Sequence, residues 1–180
     1  MAERIPSPAH LLDCVRQMRD GMWTAVLAVG VGGGLIGAAY VTALHGLTRL
    51  LGPDDHLGVV QLGILVVVGA TVALITRIGG PAGDVELLVD NIHVLGGADD
   101  VRRLRPLVPA SLLCVSAGGA MGPEAPLVKS CGTFGTWLAG RGRRSTHETR
   151  ILTITGMAAA FSVLFGAPLG AAFFALEILH

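Results

Sequence analysis

Between Trp23 and Leu50 the chain reads WTAVLAVGVGGGLIGAAYVTALHGLTRL, an apolar stretch long enough to cross a bilayer with considerable tilt. A second such stretch runs from about Leu57 to Ile75, after the short acidic loop GPDDH and ahead of Arg77. With 52% apolar and 14% charged residues and a mean hydropathy of +0.66, the chain reads as an all-α integral membrane protein of tilted and broken helices. The 26 glycines, about twice ordinary usage, point to close helix packing, and Gly33 and Gly37 form a GxxxG pair that predicts a helix against that face.

The remaining segments read as interrupted helices. GGPAGDVELLVDNIHVLGGADDVRRLRP (Gly79 to Pro106) suggests only a short helix over Val85 to Leu95, too short to cross. A third apolar segment follows from Leu107 to Met121, then a short helix over APLVKSCGTFGTWLAG interrupted by Lys129. Beyond the basic loop at Arg141 to Arg150, the run from Ile151 to Leu179 is divided by Gly166-Ala167-Pro168 into two helices.

The N-terminal residues 1–21 predict a cytoplasmic amphipathic helix lying on the membrane surface, with Leu11, Leu12, Val15 and Met18 on one face. Residues 22–180 form the transmembrane part. If the spans alternate, every arginine group except Arg49 falls on one side, which the positive-inside rule makes cytoplasmic. The net charge of zero says nothing about partners, because the charges are segregated into loops. Cys14, Cys114 and Cys131 lack metal or redox spacing and read as buried or idle thiols. No metal or cofactor is expected, and no Ser/His pair, HExxH or phosphate-binding glycine loop speaks for an enzyme. His45 reads as a neutral interhelical hydrogen-bonder, and Tyr40 and Trp23 as interfacial or packing residues.

From Pro106 to Val128 a single charge stands out: Glu124, between Pro123 and Pro126 in GGAMGPEAP. An intramembrane carboxylate costs roughly 2.5–3.5 kcal/mol on insertion scales and is read first as part of an ion or proton path. A helix starting at Glu124 leaves its first backbone N–H groups unpaired and its positive dipole end exposed, an anion site made of Gly122, Pro123 and Ala125 backbone with no formal positive charge. Ionised, Glu124 fills that site itself; protonated, it can swing away. The alternative is a first-turn residue in a wet outer loop, favourable to the helix dipole and nothing more. Lys129, roughly 140° around the helix from Glu124, does not pair with it.

With GPEAP at Gly122 to Pro126 and TGMAAAFSVLFGAPLGAAFFALE at Thr155 to Glu177, the chain resembles the N-terminal half of the CLC-type chloride channels and chloride/proton antiporters. The family motif Gly-Arg-Glu-Gly-Pro is matched at three of five positions, with Pro123 and Ala125 as departures. The resemblance implies one repeat of an inverted-repeat fold, chloride transport with Glu124 as the gate, and the lipid bilayer and chloride as partners, with no nucleic acid. It also implies a homodimer or a complementary second-half chain that closes the pathway. By the same resemblance the motif Gly-Ser-Gly-Ile-Pro falls near Gly80 to Val85, where no serine stands, so anion coordination there rests on the backbone around Gly83. An inward-facing glutamate of the exchangers falls at Ile178, next to Glu177, which is either part of a proton path or a helix-end charge. A second reading is a truncated, non-transporting membrane remnant or a helix-packing assembly partner.

Overall fold

The structure is a computed structural model describing residues 21–52, 58–80, 97, 104–120 and 122–178. The expected surface helix over residues 1–21, the Val85 to Leu95 helix, and Gly83 lie outside the described residues, Gly21 excepted. Among the described residues the elements are helices: α1 (Met22–Leu51), α2 (Gly58–Gly79), α3 (Leu104–Ser116), α4 (Glu124–Arg141), α5 (Thr146–Phe165) and α6 (Pro168–Ile178). Helices α1, α2 and α5 are long and apolar enough to cross a membrane. The protein is thus all-helical with spans of unequal length, as the apolar runs predict.

Helix α4 is the centre of the bundle. It packs most extensively on α5, and also on α1 and α3, while α5 in turn carries α1 and α6. The α4–α5 contact is backbone against backbone: a β-carbon on Gly135 would strike the Leu152 carbonyl, and one on Gly156 would strike that of Cys131. Small residues are what let membrane helices come this close, because dispersion between surfaces replaces the hydrophobic drive available in water. The predicted GxxxG face of α1 is used in the same way. Gly33 and Gly37 are buried on α5, where added β-carbons would stand 2.9 Å from Ala159 Cβ and 2.9 Å from Val163 Cγ2. Threonine hydroxyls join the same pair of helices, Thr136 Oγ1 lying 2.7 Å from Thr153 Oγ1.

Three boundaries differ from the sequence reading. Helix α3 stops at Ser116 instead of continuing to Met121, because Gly118 takes a positive φ of 94° and the Gly119 N–H turns back to the Cys114 carbonyl at 2.9 Å. Helix α4 runs unbroken through Lys129 to Arg141, since the lysine is enclosed by neighbouring helices and keeps the backbone ladder intact. Helix α5 begins upstream of Ile151, at Thr146. A capping box sets its start: the Ser145 side chain accepts from the Glu148 N–H at 3.3 Å, and Glu148 Oε2 accepts from the Ser145 N–H at 2.9 Å. The break at Gly166-Ala167-Pro168 falls where expected, with Gly166 left-handed at the end of α5 and Pro168 opening α6.

Candidate functional site

The turn joining α3 to α4 brings Glu124 to the first position of α4, with Pro123 at the N-cap (φ −75°, ψ −6°). No side chain caps this end. Pro126 has no N–H, and the Leu127 N–H reaches the Pro123 carbonyl at 3.3 Å, so the amides left unpaired within the helix are those of Glu124 and Ala125. The positive end of the α4 dipole therefore stands open, with a narrow pair of donors.

Glu124 folds back over this end. Its Oε2 occupies the space that a Gly122 β-carbon would need, so glycine at 122 is what permits the carboxylate to lie across the turn. A carboxylate near a helix N-terminus is stabilised by the dipole and takes the place a bound anion would take. The expected enclosure of Glu124 is not found: the residue is exposed. Helix α3 ends at Ser116, so a turn rather than a continuing helix leads into the first residues of α4.

Behind the carboxylate lies a polar contact that links two helices. Tyr40, from the middle of α1, is buried with its hydroxyl 3.1 Å from Ser111 Oγ on α3. Ser111 Oγ donates to the Val108 carbonyl at 2.8 Å, which leaves the Tyr40 O–H as the donor between the two hydroxyls. Tyr40 packs with Leu127, Val128 and Cys131 of α4. Sequence reasoning assigned Tyr40 an interfacial or packing role and overlooked Ser111. The available signal was that Tyr40 is the chain's one tyrosine, set mid-span where a buried hydroxyl demands a partner.

The other candidates are not drawn together with Glu124. Glu177 is exposed on α6 and forms no hydrogen bond or ion pair among the described residues. His45 is also exposed, so the interhelical bond expected of it is not made among those residues. Cys131 is buried, its thiol 3.5 Å from the Gly33 carbonyl, and Cys114 is half-buried; Cys14 lies outside the described residues. Lys129 is 1% exposed, deep within α4.

A family model described as voltage gated chloride channel matches residues 96–180. Over 124 residues the chain is 27% identical to a chloride/fluoride channel protein of Pseudomonas syringae pv. tomato, the alignment covering 64% of this chain. It spans only 26% of that relative's length. No solved structure matches. The matched stretch, a little under half of the chain, holds the Glu124 turn and all of α3 to α6, and it is this stretch that is similar to the voltage gated chloride channels.

Proposed function

We propose that the chain forms part of an anion pathway across the membrane, with chloride as the transported ion and Glu124 as the gate. One observation carries this reading: a lone carboxylate lies across the open N-terminus of a central helix, inside the stretch matched by the chloride channel family. Carboxylate and halide compete for one electropositive position, so an anion enters when Glu124 is protonated or displaced. The relative's name extends the candidate ions to fluoride.

The exposure of Glu124 bears on assembly. A gate works only where water and lipid are excluded, and among the described residues Glu124 at the α4 N-terminus is left exposed. A second copy or a complementary chain supplies that cover in the proposed pathway, with residues around Gly83 and Glu177 as further contributors to anion and proton movement. The arginine distribution supports a cytoplasmic N-terminus in this reading.

Anion efflux from liposomes holding the chain, with and without a complementary second-half chain, tests the proposal. Glu124→Gln is expected to change chloride flux and to remove its dependence on pH. Flux whose pH dependence is the same in the variant and the parent would discard the gate.

A further inference from the structure

Lys129 is the chain's one lysine; all other cationic side chains, His aside, are arginines. The described arginines are exposed or half-buried, near helix ends and in loops, whereas Lys129 is 1% exposed and is the largest of the fully buried side chains among the described residues. An ionisable side chain enclosed in a membrane bundle is expensive and marks an ion path by default. We propose that Lys129 is the fixed cation of the anion pathway, drawing a halide inward from the α4 amides once Glu124 gives way.

Helix geometry supports this placement. Ala125, which supplies one of the unpaired amides, precedes Lys129 by four residues and so lies on the same face, about 6 Å along the axis. The Cα–Cβ bond of every helical residue tilts toward the N-terminus, so the Lys129 side chain sets out from α4 on the side of that amide. The cation and the helix dipole then act with the same sign, and Glu124 is the negative group that competes with the anion for both. A lysine fits the role better than an arginine: its ammonium is a compact point charge suited to a monatomic ion, where a guanidinium fork selects planar carboxylates. The backbone here is secured separately, Thr133 Oγ1 donating to the Lys129 carbonyl at 2.7 Å.

The inference rests on the anion-transport reading, and the experiment separates the two. A single lysine means that lysine labelled at Nζ and Cε gives one side-chain NMR signal from the full-length chain in detergent. Sodium chloride is titrated against sodium gluconate at constant ionic strength, with chloride binding followed in parallel by calorimetry, in the parent and in Glu124→Gln. The expected result is a saturable shift of the Lys129 signal at the calorimetric midpoint, and chloride binding weakened on the order of tenfold or more in Lys129→Met. Chloride binding with a stationary Lys129 signal overturns the lysine's role and leaves the transport reading standing. No chloride binding in either the parent or Glu124→Gln, alone or with a complementary second-half chain, overturns both. If Lys129→Met does not fold, the signal of the parent decides alone.

Discussion

Helices α2 and α4 are both flanked by charged residues and both long enough to occupy a membrane, yet they sit at opposite extremes of burial. Helix α2 is the most apolar of the candidate spans, and Val68 is its only buried residue. Helix α4 carries a lysine, a serine and two threonines within its first thirteen residues, and nine of its positions are buried. In water this ordering would be inverted. In a bilayer the solvent is as apolar as leucine, so hydrophobicity does not drive a helix inward; small side chains and polar groups that need partners do. Burial in this protein is therefore read from glycine and hydroxyl positions, and lipid exposure from uninterrupted valine and leucine.

The largest test of the contrast is at Gly156. Leucine there would place atoms where the Cys131 backbone stands, and backbone cannot step aside as a side chain can. Gly156→Leu is expected to cost at least the ~3 kcal/mol at the upper end of overpacking and to separate α5 from α4. Loss of the monodisperse peak in size-exclusion chromatography, with faster proteolysis, is the readout; a normally folded variant would break the picture of a backbone-to-backbone core.

Val67, 65% exposed on α2, tests the other side. Val67→Arg is expected to disfavour insertion by roughly 2.5–3.5 kcal/mol, because the charge faces hydrocarbon near the middle of the span. Glycosylation mapping of α2 in microsomes measures this directly. Insertion unchanged from the parent would mean that this face meets water or protein instead of lipid.

The smallest effect is at the contact joining α1 to α3 behind the gate. Tyr40→Phe removes one hydroxyl from the Ser111 contact and is expected to lower stability by about 0.6 kcal/mol, the average for a hydrogen bond between membrane helices. Thermal unfolding in detergent reads it. A much larger loss would make this hydroxyl pair a main support of the α4 N-terminus.

Much of the architecture was legible beforehand where local chemistry is decisive. The Gly166-Ala167-Pro168 break, the packing of a helix against Gly33 and Gly37, and the start of a helix at Glu124 each follow from residues that leave the backbone few choices. The end of α3 was misjudged because apolar residues continue past Ser116, while the positive φ at Gly118 ends the helix regardless of hydropathy. Ser111 was invisible for another reason. A serine in an apolar run is unremarkable until a tyrosine seventy-one positions away is brought within hydrogen-bonding distance.

Residue order alone determined that this chain is a helical membrane protein, where its spans fall, and that one carboxylate begins a helix, because apolar length, proline and glycine act through near neighbours. Only the packed bundle decided that α4 is enclosed while α2 is not, that Glu124 lies open while Tyr40 is buried against Ser111, and that Lys129 is sealed inside. Those outcomes depend on which helix faces which, and such pairings are set by contacts between distant stretches that no local pattern encodes.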